Sequence, residues 1–244
     1  MKIKAALVDL NDTICNTSDV ERDALKETAK LFSDLTEGKY SESDSEKMLS
    51  SSREYINNAT TSDAAAYDTA LYLQHMVENA DIRSDRFELL YRLQDSYYKY
   101  MLKNLRLYDD AEEFLQWLKE SGRKVAIISD GTVKMKLEQI HELGIGRYVD
   151  LLVTSEESGS NKPAPNSYML AMHKLKMSPS ELFVIGNSLK LDIYGANMLG
   201  MVTVEANLTK LGQTATREGM FKPRYTVDSL AKVRDIIEFL ETSN

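Results

Sequence analysis

The chain has 244 residues, 43% apolar and 28% charged, with a formal net charge of −8. That length buries a sizeable core in one domain or two, and the acidic balance leaves no basic footprint for nucleic acid. No apolar run reaches the roughly 18 residues that a membrane span needs. The chain opens on a strand pattern without a leader-like apolar segment, and its single cysteine, Cys15, suits a reducing compartment, so a cytoplasmic setting is expected.

Residues 3–9 read as a buried strand. Its apolar run, Ala5 to Val8, ends in the polar cluster Asp9, Asn11, Asp12 and Thr13. Cys15 has no nearby histidine to activate it and reads as a small apolar residue. Residues 16–104 carry a helical pattern with no convincing strand. Ser18 and Glu21 have the spacing of a capping box. A link rich in Ser, Glu and Asp (Ser41 to Ser45) precedes a second helix, about Glu46 to Ile56. A third is expected from about Asp63 to Asn79 and a fourth from about Ser84 to Leu105, each with apolar residues at three- and four-residue steps.

Beyond residue 105 strands and helices alternate. Helices are expected over Ala111–Glu120, Val133–Leu143, Ser167–Leu175, Leu191–Met198 and Leu230–Leu240. Short β-branched strands are expected at Val125–Ile128, Leu151–Val153, Leu182–Ile185, Val202–Val204 and Tyr225–Val227. This alternation predicts an α/β fold, a Rossmann-like parallel sheet flanked by helices. The core comprises residues 1–15 and 105–244, and the all-helical insert, residues 16–104, forms a second domain.

Parallel sheets bind ligands at the carboxyl ends of their strands. Those ends carry Asp9, Asn11 and Thr13; Ser129, Asp130, Gly131 and Thr132; Thr154 to Ser160, then Lys162 in a Pro-flanked setting; and Gly186, Asn187, Ser188 and Asp192. The set suits phosphoryl chemistry. A carboxylate can attack as a nucleophile. A hydroxyl and loop amides can hold phosphate oxygens, a lysine can offset charge, and Asp and Asn oxygens can hold Mg²⁺. His75, His141 and His173 lie inside helical patterns and read as structural.

In order and spacing these residues resemble the four motifs of the haloacid dehalogenase superfamily, in the subclass whose helical cap is inserted after the first strand. Asp9-Leu10-Asn11-Asp12-Thr13 resembles the first, Ile127-Ile128-Ser129-Asp130-Gly131 the second, and Lys162-Pro163-Ala164-Pro165 the third. Gly186-Asn187-Ser188 through Asp192 resembles the fourth. The resemblance implies that Asp9 is the nucleophile and a Mg²⁺ ligand, with the backbone carbonyl of Asn11, Asn187 and Asp192 completing the metal site. Ser129, Asp130, Gly131 and Lys162 would hold the phosphoryl group. The implied partner is a small phosphorylated metabolite, with no nucleic acid and no membrane; nothing in the sequence separates a monomer from a dimer.

Two positions depart from the pattern. Asn11 stands where a phosphatase of this family carries the acid that protonates the leaving alcohol, a loss on the order of 10² to 10⁴ in rate. Asp12 could stand in only through an unusual turn, because adjacent residues in extended chain point to opposite sides. Asn187 offers Mg²⁺ an uncharged oxygen in place of a carboxylate. The leading reading is a Mg²⁺-dependent phosphatase slowed by the loss of that acid. The alternatives are a metal-independent, dehalogenase-like hydrolase and a catalytically weak member that binds a ligand or partner. In the insert, Arg53, Arg83, Arg86 and Arg92 are candidate anion contacts, and Tyr67, Tyr72, Tyr91, Tyr97 and Tyr98 are expected to pack among the helices.

Overall fold

The structure is a computed structural model that describes residues 2–59, 68–82, 85–208 and 216–242. It divides into two compact units, one of Met1–Asn16 with Arg106–Asn244 and one of Thr17–Leu105.

The first unit is a six-stranded parallel sheet: β1 (Ala5–Val8), β2 (Lys124–Ser129), β3 (Leu151–Thr154), β4 (Leu182–Gly186), β5 (Val202–Ala206) and β6 (Tyr225–Val227), in the spatial order β3-β2-β1-β4-β5-β6. All four residues of β1 are buried, as a central strand covered on both faces requires. Each large aliphatic so buried contributes about 1.5–3 kcal/mol. Val8 pairs with Ile127 of β2 and Ile185 of β4, so the three strands end nearly level. The strand order reverses direction at β1, with β2 on one side of it and β4 on the other. A crevice therefore opens between the loops after β1 and β4, the place where such sheets bind ligands.

The helices of the second unit are α1 (Thr17–Leu35), α2 (Glu42–Ala59), α3 (Thr69–Asn79) and α4 (Arg86–Asn104). Phe32, Leu49, Tyr72, Leu73, Met76 and Leu93 are central to its core. Three local expectations need correction. Ser18 is the second residue of α1, so the helix opens ahead of the expected capping box. The Ser/Glu/Asp link is itself the start of α2, because the Ser41 hydroxyl accepts the Asp44 N–H and acids favour a helix's first turn. The third helix begins behind Asp68, whose side chain accepts the Ala70 N–H; the expected start at Asp63, Tyr67, Arg83 and Ser84 all lie outside the described residues.

The first unit is completed by α5 (Ala111–Glu120), α6 (Val133–Glu142), the single turn α7 (Ser155–Ser158), α8 (Asn166–Leu175), α9 (Tyr194–Asn197) and α10 (Ala231–Thr242). The loop expected after β3 contains α7, and the helix expected from Leu191 begins as a π-turn, Leu189–Ile193, that runs into α9. Such turns are rare and favour functional sites. Among the described residues no helix is long and apolar enough to cross a membrane.

Candidate active site

Asp9 is the first residue past β1, and its N–H donates to Ile185 O of β4 at 2.9 Å. The backbone bond pins it to the crevice wall, and the residue is nearly buried at 6% exposure. Both carboxylate oxygens are held. Lys162 Nζ donates to Oδ1 at 2.6 Å and the Thr13 hydroxyl to Oδ2 at 2.8 Å. Lys162 also donates to Asp192 Oδ1 at 2.7 Å and reaches Ile128 O at 3.4 Å, while its backbone N–H donates to Asp130 Oδ1 at 3.0 Å. Asp192 Oδ2 accepts the Ser188 N–H at 3.0 Å. The Asn187 N–H donates to Thr13 Oγ1 at 3.0 Å, and Asn187 Oδ1 lies 3.4 Å from the same hydroxyl.

One buried lysine thus joins carboxylates from three loops. Burial by itself lowers the affinity of Lys162 for its proton, but the carboxylates of Asp192, Asp9 and Asp130 outweigh that and raise its pKa well above the ordinary value. Burial pushes Asp192 up to about 6 against the pull of Lys162. Asp130 is raised by burial too, with Lys162 opposing. Ser129, the last residue of β2, is 2% exposed. The Gly131 N–H donates to the Ser155 hydroxyl at 2.8 Å, which fixes the turn after β2 against α7.

Two glycines set the spacing. A Cβ on Gly186 would lie 2.3 Å from Asp192 Cγ, and one on Gly195 would lie 2.7 Å from Pro163 O. The first keeps β4 close enough to hold Asp192 in the crevice; the second lets α9 pack against the loop that carries Lys162. Gly186→Ala is expected to displace the Asp192 carboxylate and cost about 1–3 kcal/mol. This should appear as a lower urea midpoint at unchanged slope; an unchanged midpoint would show that Asp192 can move aside freely.

The sequence pattern gave no sign of Lys136. It lies on α6, wholly buried, and its Nζ donates to Asn11 Oδ1 at 3.2 Å and to Gln139 Oε1 at 3.1 Å. Binary patterning misleads on this helix: Lys136 and Gln139 face inward while Leu137 is 53% exposed. Burial lowers the Lys136 pKa to about 8, with Asp9 opposing. Between pH 8 and 10.5 the unfolded lysine therefore binds more protons than the folded one, and stability rises with pH across that window. The rise amounts to about 3 kcal/mol. Lys136→Met is expected to abolish this segment of the stability–pH profile; a variant profile parallel to the natural one would contradict the assignment.

The other candidates lie elsewhere. His75, His141 and His173 sit on α3, α6 and α8, outside the hydrogen bonds that surround Asp9. Cys15 is buried, and its thiol donates to Leu10 O. Asp12 takes a left-handed turn, φ 56°, and its N–H donates to Cys15 O at 2.8 Å. In the helical unit Arg53 pairs with Glu21 at 3.6 Å and lies over the Tyr72 ring. Arg86 donates to Ala80 O. Tyr72 and Tyr97 pack in the interior as expected, but Tyr91 is 66% exposed.

Among the described residues no group of three or more His, Cys, Asp and Glu forms a metal cage, in keeping with Asn at positions 11 and 187. The donors that remain are the Asp9 and Asp192 carboxylates and the Asn187 amide oxygen. One or two carboxylates with neutral oxygens are a set that Mg²⁺ accepts, so the residues present fit that ion.

A parallel sheet with a carboxylate at its switch point, backed by a buried lysine and a second carboxylate, suits attack by that carboxylate on an electrophile. The family model for haloacid dehalogenase-like hydrolases matches residues 3–200, and the chain belongs to that family. It is 30% identical to the ribulose-1,5-bisphosphate 5-phosphatase of Halopiger xanaduensis, with 96% of this chain and 98% of that protein covered. It is 25% identical to the glyceraldehyde 3-phosphate phosphatase of Methanopyrus kandleri, with 98% of each covered. Among solved structures it resembles a haloacid dehalogenase-type phosphatase of Thermococcus onnurineus, at 22% identity and a TM-score of 0.73, with 96% of this chain and 98% of that chain covered.

Proposed function

We propose that the protein hydrolyses a phosphate monoester of a small sugar or triose through a phosphorylated Asp9. The observation that carries this reading is the clamp on Asp9, with Lys162 on one carboxylate oxygen and Thr13 on the other. A nucleophile so held is aimed before substrate arrives, and orientation of this kind accounts for a large share of rate enhancement. The substrate class is drawn from relatives of full length, named as phosphatases of ribulose-1,5-bisphosphate and glyceraldehyde 3-phosphate.

In this mechanism Asp9 attacks phosphorus and the leaving oxygen departs with its electron pair. Lys162 and the Ser129 hydroxyl bind the phosphoryl oxygens. Water then attacks phosphorus, the Asp9–phosphate bond breaks, and the carboxylate is restored. Asp9, Asp192, Asn187 and the carbonyl of residue 11 would hold Mg²⁺, which when bound offsets negative charge on the phosphoryl group.

The test is phosphate release from ribulose bisphosphate, glyceraldehyde 3-phosphate and other sugar phosphates, with Mg²⁺ and with chelator. Turnover of at least one ester is expected. No release from any phosphate ester, together with halide release from a 2-haloacid, would replace this reading with that of a dehalogenase.

A further inference from the structure

Asn11 stands in the crevice where an acid is expected, and the structure shows what holds it. Lys136 Nζ lies 3.2 Å from Asn11 Oδ1 and 3.1 Å from Gln139 Oε1. An ammonium has three donors and no acceptor. The amide of Asn11 must therefore turn its oxygen toward Lys136, which fixes its Nδ2 group on the other side. Lys136 has no exposure and lies on the buried side of α6. A lysine so buried, bonded to two neutral amides, is costly to the fold. Its place beside Asn11 accounts for that cost if the orientation of Asn11 matters to the reaction.

We propose that Lys136 is a positioning residue that locks Asn11 as a fixed N–H donor to the leaving oxygen, so that the enzyme favours phosphate esters whose leaving group departs without being protonated. The inference rests on the phosphatase reading above. An amide N–H stabilises a departing oxyanion but transfers no proton to it. The phosphorus–oxygen bond breaks with both electrons on the leaving oxygen, which takes its proton from solvent. Enol, acyl, anomeric and aryl phosphates meet that requirement; esters of simple alcohols do not. The preferred substrate is thus a sugar derivative phosphorylated on an acidic oxygen, which sets this chain apart from relatives named for the primary-alcohol esters ribulose-1,5-bisphosphate and glyceraldehyde 3-phosphate.

The experiment measures kcat and KM for a series of substituted aryl phosphates of graded leaving-group pKa, on the full chain with Mg²⁺. The natural protein, Lys136→Met, Lys136→Gln, Asn11→Ala and the double variant of Lys136→Met with Asn11→Ala are compared. For the natural protein, kcat/KM, which reports phosphorylation of Asp9 even where the second step limits kcat, should fall steeply as leaving-group pKa rises. Lys136→Met should lower kcat/KM by up to about 100-fold, most for the poorest leaving groups. Lys136→Gln keeps an N–H for Asn11 Oδ1 and should retain most of the activity. The double variant should be no worse than Asn11→Ala alone, because both changes remove one interaction. Equal losses at every leaving group, additive losses in the double variant, or failure of Lys136→Gln to rescue would each overturn the proposal. If the natural protein releases phosphate from no ester, the phosphatase reading fails first. Should Lys136→Met fold poorly, Lys136→Gln against Asn11→Ala still decides the matter: a natural-like slope with the former and a loss weighted to poor leaving groups with the latter support the proposal, and losses independent of leaving group refute it.

Discussion

Asp9→Asn is expected to lower phosphate release on the order of 10⁴-fold or more while leaving the fold intact. The amide keeps the shape of the carboxylate but not its nucleophilicity. Its oxygen can still accept from Lys162, and its NH2 can donate to the Thr13 hydroxyl oxygen that now lies 2.8 Å from Asp9 Oδ2. Lys162 keeps its bond to Asp192, so no buried cation is stranded. The stability cost should be about 1 kcal/mol, the net worth of one hydrogen bond. Activity and the urea midpoint measured on one preparation separate the two effects. Activity within about tenfold of the natural protein would remove Asp9 from the chemistry, and a collapsed midpoint would make it a structural residue.

Lys162→Ala carries the largest expected cost in stability. Asp9 and Asp192 are 6% and 1% exposed and share this single ammonium. Removing one partner of a buried ion pair leaves uncompensated charge and costs about 3–5 kcal/mol. The sign of the pH dependence is set by Asp192. Burial already holds it at about 6, and loss of the cation moves it further up. A carboxyl with a raised folded pKa binds more protons folded than unfolded, so it stabilises the fold at low pH and the benefit is lost as pH rises. The deficit of Lys162→Ala should therefore be greatest above the raised Asp192 pKa of the variant and shrink as pH falls toward about 6, below which Asp192 is protonated in both proteins. A melting series from about pH 4 to 8 reads this directly. Activity should fall about 10²- to 10³-fold, the usual effect of losing one group that stabilises transition-state charge. A deficit independent of pH would show that the network contributes packing and not charge.

The core of the fold and the polar ends of its strands were legible because both obey short-range rules. Continuous apolar runs such as Ala5–Val8 and Leu182–Ile185 fit strands buried on both faces. A parallel sheet then brings the residues just past those runs, Asp9 and Asn187, to the same edge. Lys136 was not legible, because its burial depends on which face of α6 meets the loop after β1. The apolar pattern of that helix points to Leu137, which the structure leaves exposed. Nor was the clamp by Thr13 legible. Its place in the first motif was evident, but the turn that folds its hydroxyl back onto Asp9 includes a left-handed residue at Asp12, which local propensity does not foretell for a non-glycine. The start of α2 was misread for a different reason. Ser41, Glu42 and Asp44 are as well suited to a helix's first turn as to a link, and composition alone does not choose between them.

Phosphorylation of Asp9 is the step on which the proposed function turns, and Asn11 makes it accessible to measurement. Without an acid at position 11 to activate water, the second step should lag the first, and the phosphorylated enzyme should accumulate. The measurement is an acid quench of the protein after mixing with an aryl phosphate and Mg²⁺, and then the mass of the peptide that contains Asp9. One added phosphoryl group on Asp9 is expected in the natural protein and none in Asp9→Asn. Phosphate release that continues in Asp9→Asn, or a phosphoryl group found on another residue, would contradict the role of Asp9 as nucleophile.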